Sequence, residues 1–366
     1  MKKLVFLSLV TLLLFSCNSQ DIYNIKGSIE GVNDGTVYLQ KRESGKFVKI
    51  DSAQINDENF EIKGGSVDYP SSYYLSVDGV RGYMMFFLEN NELTINTYAD
   101  SLFAGEVEGS VSHDEYTAYN EGLEPYYERN RSLFQQYRDA QQAGDEEKAA
   151  ELNSEREIVF EEIQEYNLNF IKENPASYCS PVILRSVAYS MDGEEIESFI
   201  DNLDPKLMET EIIIDLNERV EKLKKVAIGK KAPDFTQNDP DGNPVSLSDV
   251  LGPDLLLLDF WAAWCGPCRR ENPNVVAVYN EFHDKGFDVF GVSLDREKED
   301  WLKAIEADGL VWTQVSDLNY WNNEAAQLYA VSSIPSNFLL DSEGTIIAKN
   351  VRGDDLRKKV AEILGE

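Results

Sequence analysis

Histidine and cysteine are scarce in this chain of 366 residues: His113 and His283 are the only histidines, and cysteine occurs at positions 17, 179, 265 and 268. Two histidines cannot build a multi-histidine metal centre, and four unevenly placed cysteines are too few for a disulfide-framework protein. Basic residues are also few. Lys plus Arg is 34 against 66 Asp plus Glu, a formal net charge of −32. So acidic a chain lacks the basic face that phosphate needs, which argues against nucleic acid as a partner. It also disfavours electrostatic binding to anionic lipid. No segment has 18 uncharged apolar residues in a row, so no transmembrane helix is expected. What the chain does have is apolar material, 42% hydrophobic and 11% aromatic, enough to build cores. Its length is too great for one core and suggests two or three domains.

The first seventeen residues read as an address. Lys2 and Lys3 precede a twelve-residue apolar run, Leu4 to Phe15. That run is too short for a ~30 Å hydrocarbon core, which needs ~20 residues, and has the shape of a secretory signal. It ends Leu14-Phe15-Ser16-Cys17, which resembles the bacterial lipobox, with Phe15 bulkier than the usual residue there. The resemblance implies cleavage before Cys17 and lipidation of Cys17 itself. More than one acyl chain on that residue makes a stable anchor. The expectation is a lipoprotein signal peptide over residues 1–17. The mature protein would then sit in the cell envelope, lipid-anchored to a membrane and facing the periplasm. An ordinary signal peptide with an incidental cysteine is the competing reading.

Three regions follow. Residues 18–111 carry short alternating apolar sets, among them Ile25 and Ile29, Val37 and Leu39, Leu75 and Val77, Leu93 and Ile95. Turn signals such as Asn33-Asp34-Gly35 and Gly64-Gly65 separate them. The pattern predicts an all-β, sandwich-like domain of antiparallel strands, with Met84 to Leu88 as a strand buried on both faces. Residues 112–228 read as helices. Val159, Ile163, Tyr166 and Phe170 lie on one helical face, and Ala143-Gly144-Asp145 breaks two long helices. Cys179, beside Pro181 and an apolar run, reads as a buried structural thiol. Residues 229–366 alternate strand and helix: strands at 255–261 and 287–293, helices at 272–282 and 298–307, a hairpin around Asp341 to Gly344, and a closing helix at 354–364. That order indicates a layered α/β sheet.

The chemistry concentrates in Trp261-Ala262-Ala263-Trp264-Cys265-Gly266-Pro267-Cys268-Arg269-Arg270-Glu271. The string follows a strand and opens a helix. A zinc knuckle would need a second pair of ligands, which Cys179 and the two histidines do not supply. At a helix start, free N–H groups and the macrodipole favour a thiolate at Cys265, and only the thiolate attacks a disulfide. Cys268, one turn on, is close enough to attack the resulting mixed disulfide. Pro267 suits a first turn, where its missing N–H is not needed. Asp259 follows four leucines, Leu255 to Leu258, and precedes Phe260. A carboxylate buried there has a raised pKa and makes a suitable proton shuttle. The alternative is an aspartate at a strand edge reaching solvent. Glu271, three residues after Cys268, sits on a neighbouring helix face, and the alternative for it is a solvent-exposed helix glutamate.

These residues resemble the active site of the thioredoxin superfamily. Residues 229–366 as a whole resemble the TlpA-like and ResA-like thiol–disulfide oxidoreductases, AhpC/TSA-type proteins anchored outside the bacterial cytoplasm. Lys231-Ala232-Pro233-Asp234-Phe235 and Asp241-Gly242 to Asp249 resemble that family's lead-in segment, and Ile334-Pro335 its Ile-cis-Pro loop. The resemblance implies a C-terminal thioredoxin fold with a buried acid at Asp259 and a functional glutamate at Glu271. It also implies a substrate held by Trp264, Gly266, Pro267 and the Ile334–Pro335 loop. The extra β and helical regions match some lipoproteins of this type more loosely.

The expected function is an extracytoplasmic thiol–disulfide oxidoreductase that reduces disulfides of exported proteins, with no metal and no cofactor. The Gly266-Pro267 pair matches thioredoxin itself, a reducing member of a series whose potentials span ~150 mV. In an oxidising compartment the pair would stay oxidised, so a membrane electron-donor protein is the expected second partner. Two alternatives stand beside this. A peroxiredoxin-like peroxidase also carries Ala-Pro-Asp-Phe, but it normally has Thr or Ser where this chain has Ala262. An envelope binding module, with the thioredoxin-like domain as accessory, would put the work in the acidic N-terminal regions.

Overall fold

The alternating apolar sets of the N-terminal region become strands in the computed structural model, which describes residues 23–43 and 45–365. The signal segment and Cys17 lie outside the described residues. Among the described residues, eight N-terminal strands form one sheet: β1 (Asn24–Glu30), β2 (Asp34–Glu43), β3 (Lys46–Asn56), β4 (Asn59–Lys63), β5 (Ser71–Val77), β6 (Met84–Leu88), β7 (Glu92–Tyr98) and β8 (Glu106–Glu108). The order is β6-β5-β2-β3-β4-β1-β7-β8. The strands are thus joined in one hydrogen-bonded sheet. One pair departs from the antiparallel pattern, because β1 runs parallel to β7 with Ile25 opposite Leu93. Alternate residues Ile25, Ile29, Val37, Leu39, Leu75, Leu93 and Ile95 are buried and make the core of this region.

The parallel pair leaves no room at Gly27. A Cβ there would lie 1.7 Å from the Ile95 carbonyl oxygen. We expect Gly27→Ala to destabilise the protein by ~1–3 kcal/mol, the cost of overpacking. Denaturant unfolding followed by far-UV circular dichroism measures this, and an unchanged midpoint would mean that the sheet relaxes freely around the added methyl.

The helices follow from caps and breakers. Ser110 accepts from the His113 N–H at 3.1 Å and starts α1 (Val111–Ala143). Gly144, with φ of 73°, ends it in the left-handed conformation that glycine adopts without penalty. α2 (Glu146–Glu173) follows. Phe87 of β6 packs on Tyr116 of α1 with ring centroids 5.6 Å apart, so this edge strand is apolar on both faces. Then come α3 (Cys179–Val187), α4 (Gly193–Asp201) and α5 (Glu211–Lys225). α5 buries Ile213, Leu216, Val220 and Leu223, at steps of three, four and three.

The chain divides into two compact units. One runs to Arg156 and includes Ser177–Cys179, and the other comprises Glu157–Ala176 and Ser180 onward. α5 therefore belongs to the same unit as the α/β sheet. That sheet is preceded by the hairpin β9 (Thr236–Asn238) and β10 (Pro244–Ser246) and the turn of helix α6 (Leu247–Val250). Next come β11 (Leu255–Trp261), α7 (Gly266–Phe282), β12 (Phe287–Ser293) and α8 (Lys298–Asp308). The chain continues with β13 (Thr313–Val315), α9 (Glu324–Leu328), β14 (Ser336–Asp341), β15 (Ile346–Lys349) and α10 (Gly353–Leu364). The strand order β13-β12-β11-β14-β15 puts β11 in the centre, parallel to β12 and antiparallel to β14. All seven residues of β11 are buried, which explains its unbroken leucine run. The fold is thus an N-terminal β domain, a helical middle and a C-terminal thioredoxin-like α/β domain. Among the described residues no helix is long and apolar enough to cross a membrane.

Candidate active site

The central strand delivers the chain to Trp261, and a short loop then turns it into α7. Cys265 is the cap of that helix, its Sγ accepting from the Cys268 N–H at 3.1 Å. Pro267 sits in the first turn, where no acceptor waits for an N–H. Cys265 and Cys268 are joined as a disulfide with Cα atoms 5.2 Å apart, so the structure holds the oxidised pair. Both sulfur-bearing residues are buried, while Gly266 and Pro267 are exposed. The Ile334–Pro335 bond is cis. The Ile334 carbonyl oxygen lies 3.6 Å from Cys265 Sγ.

Trp264 is 45% exposed beside the pair. Its Nε1 donates to the Leu294 carbonyl at 3.3 Å. Its ring meets Tyr320 and Trp321 at centroid distances of 5.0 and 5.9 Å. The Arg296 guanidinium stacks over Tyr320 at 4.1 Å. Sequence reasoning missed Tyr320 and Trp321. The signal available was an aromatic pair in a polar stretch, which by itself does not point to Trp264.

Asp259 and Glu271 come together with a third residue. Asp259 is 6% exposed on β11, opposite Asn337 of β14. Burial pushes its carboxyl up to about 7, the negative charge of Glu271 adds to the rise, and Arg352 opposes it. Glu271 is half-buried rather than solvent-facing. Its Oε1 accepts from the Gly353 N–H at 2.8 Å and from Asn274 Nδ2 at 2.9 Å, so it holds the first turn of α10 against α7. Arg352 donates to the Pro335 carbonyl. Asn337 binds the Val351 backbone twice, at 2.8 and 3.0 Å, and sets Arg352 in place. Arg352 carried no signal in the sequence, since its partners lie 17 and more residues away.

A second buried acid, Asp295, also escaped the sequence reading. It is 2% exposed and accepts from the Ala263 N–H at 2.9 Å and from Ser293 Oγ at 2.7 Å. Burial raises its carboxyl, against both hydrogen bonds. Arg269 grips Asp308 with two bonds, at 2.5 and 2.7 Å, and Asn272 adds a third at 2.7 Å, which fixes α7 to the end of α8. Cys179 is fully buried. Its Sγ is 3.1 Å from the Ser112 carbonyl, and burial pushes the thiol up to about 12. Among the described residues no group of three or more His, Cys, Asp or Glu could hold a metal ion.

Residues 228–349 match the AhpC/TSA family, and residues 23–116 match a domain of unknown function, DUF4369. Over 141 residues the chain is 31% identical to the thiol-disulfide oxidoreductase ResA of Geobacillus kaustophilus, covering 38% of this chain and 79% of that protein. The chain belongs to the ResA-like thiol–disulfide oxidoreductases. ResA of Bacillus thuringiensis is 28% identical over 143 residues, which cover 39% of this chain and 80% of that protein. The thioredoxin domain of a thiol-disulfide oxidoreductase from Bacteroides vulgatus is 44% identical and covers 38% of this chain and 98% of that one, with a TM-score of 0.36. The ResA likeness covers about two fifths of the chain, and the DUF4369 match covers residues 23–116.

Proposed function

We propose that this oxidoreductase works outside the cytoplasm as a reductant of exported proteins, anchored to a membrane by lipid on Cys17. The observation that carries the chemistry is Cys265 at the head of α7, its sulfur 3.6 Å from the Ile334 carbonyl. An extended substrate segment pairing with the Ile334 backbone would bring its disulfide to that sulfur. In the reduced enzyme the Cys265 thiolate attacks one substrate sulfur. An enzyme–substrate S–S bond forms, the substrate S–S bond breaks, and one substrate thiolate leaves. Cys268 then gives its proton to the Asp259 carboxylate, and its sulfur attacks Cys265 Sγ. That step closes the Cys265–Cys268 bond and releases the second substrate thiolate. Two electrons have passed to the substrate. The oxidised pair regains them from an external dithiol, in our reading a membrane electron-donor protein. Trp264, Gly266, Pro267, Ile334 and Pro335 form the substrate platform. Ala262, three residues before Cys265, carries no hydroxyl, which counts against the peroxidase alternative.

The direct test is trapping. Cys268→Ser, expressed in the host, should accumulate mixed disulfides through Cys265, and mass spectrometry identifies the attached proteins. Recovery of cytoplasmic proteins alone would defeat the extracytoplasmic reading. The anchor has its own test. Cys17→Ser should move the protein from the membrane fraction to the soluble fraction or leave the signal uncleaved. Wild-type protein recovered soluble and without acyl mass would refute it.

A further inference from the structure

A cleft of about 460 Å³ opens beside the Ile334–Pro335 loop. Asp192 and Arg219 of the helical segment line one side, and Ser332, Ser333, Lys349 and Arg352 of the α/β domain line the other. Its lining holds three cations and one carboxylate, in a chain whose net charge is −32. The carboxylate, Asp192, caps α4, accepting from the Glu195 N–H at 2.9 Å, and its charge also acts on Lys349. Among the described residues none of the three cations is ion-paired. Arg219 donates to the Ala330 carbonyl at 3.4 Å and to Ser332 Oγ at 3.2 Å, while its Nε is buried with no partner.

We propose that this cleft binds an acidic side chain of the protein substrate, a few residues from the disulfide being reduced. The proposal rests on the oxidoreductase reading and names the substrate chemistry that the site selects. Ser332 and Ser333 lead directly into Ile334, whose carbonyl touches the Cys265 sulfur, and Arg352 donates to the Pro335 carbonyl. A substrate strand lying along Ile334 advances ~3.3 Å per residue. A carboxylate two or three positions from the substrate cysteine therefore reaches the cleft. Burial lowers the pKa of both Arg219 and Lys349; in Lys349 the Asp192 charge opposes the fall and the neighbouring Arg219 charge adds to it. Arg219, part-buried and outside any ion pair, gains most from an arriving anion, and its guanidinium fork suits a carboxylate. Arg219 and Arg352 lie outside residues 228–349, so two of the three cations lie beyond the matched family segment.

The test uses the full-length protein and synthetic octapeptides. Each has one cysteine, held as a mixed disulfide with mercaptoethanol, and Asp, Asn or Lys two or three residues away. The Asp peptide should exceed the Asn peptide in kcat/KM by about tenfold, the worth of one charge-assisted hydrogen bond. The Lys peptide should fall below both. Arg219→Gln should bring the Asp-to-Asn ratio close to one, and Arg219→Lys should keep part of it. Lys349→Gln, which leaves the α5 contacts intact, should also lower the ratio and covers the case in which Arg219→Gln fails to fold. An Asp-to-Asn ratio near one in the wild type, or a wild-type ratio in both Gln variants, overturns the proposal. Insulin-disulfide reduction is measured in parallel. If insulin and all peptides stay oxidised, the oxidoreductase reading fails. If they are reduced without preference, only the cleft proposal fails.

Discussion

Cys265→Ser should lower insulin-disulfide reduction by more than about 10³-fold, because a hydroxyl at the head of α7 supplies no thiolate to open a disulfide. Cys268→Ser should behave differently. It keeps the first attack and stops at the mixed disulfide, so a single opening of the substrate disulfide should persist, with the substrate held on Cys265, while steady-state turnover is lost. Cys179→Ser should stay within about twofold of wild type, since a fully buried thiol pushed up to about 12 does not ionise at working pH. In the reduced protein, iodoacetamide should modify Cys265 before Cys268. The physical reason is local: Cys265 caps the helix, and its sulfur receives the Cys268 N–H, which stabilises negative charge on sulfur. Faster labelling of Cys268, or an active Cys265→Ser enzyme, would reverse the assignment.

The second large effect concerns Asp259. Asp259→Asn keeps the shape and removes the base that accepts the Cys268 proton. Resolution of the mixed disulfide should slow by ~10²-fold or more, while the attack by Cys265 changes less. Stopped-flow kinetics with a fluorescent disulfide substrate separates the two steps. In the wild type, the resolution rate should climb with pH through about 7, where Asp259 ionises, and the climb should vanish in the variant. Glu271→Gln should shift that climb to lower pH, because Glu271 helps to hold the Asp259 carboxyl up. Stability should move the other way from activity. The folded protein keeps the Asp259 proton up to about pH 7, whereas an unfolded aspartate loses it near ~4. The stabilising effect of that proton is complete below about pH 4 and is lost as pH rises towards 7. Asp259→Asn escapes the loss. It should match wild type near pH 4 and exceed it at pH 8 by roughly 4 kcal/mol in guanidinium unfolding. A stability difference that does not change with pH would mean that Asp259 is already ionised in the folded state. A wild-type resolution rate in Asp259→Asn with a slow Glu271→Gln would transfer the shuttle to Glu271.

Local signals explain what could be read before the structure. A run of four leucines before Asp259 marks a strand covered on both faces, and Gly-Pro after Cys265 marks a helix start. Both features depend on a few adjacent residues, as do the α1–α2 break at Gly144 and the β14–β15 hairpin. What stayed hidden depends on long-range pairing. Glu271 shares a spacing with any exposed helix glutamate, and only the arrival of Gly353, 82 positions later, gives it a role. Arg352 gains its meaning from Pro335, and Asp295 from the Ala263 N–H that it receives. Turn signals between successive strands suggest antiparallel neighbours and cannot announce a parallel pair such as β1 with β7, whose partners are some 68 residues apart. The cationic cleft is the extreme case. Arg219 sits on a helix that reads as amphipathic and unremarkable, 111 and 113 residues before the backbone oxygen and the serine that it grips.

The tie between Glu271 and the start of α10 bears on how this chemistry can be moved between proteins. The eleven residues from Trp261 to Glu271 look like a portable cassette, two cysteines on a helix. Transplanted into another strand-to-helix turn, they would bring a disulfide and little else. Glu271 would have no Gly353 to hold, the Asp259 position would lose the neighbours that tune it, and no Pro335 loop would face the sulfur. The smallest transferable part is therefore the whole α/β unit through α10. Recombination or engineering that keeps the motif but exchanges the last helix should yield a well-folded protein that oxidises and reduces its own cysteines yet handles client disulfides poorly.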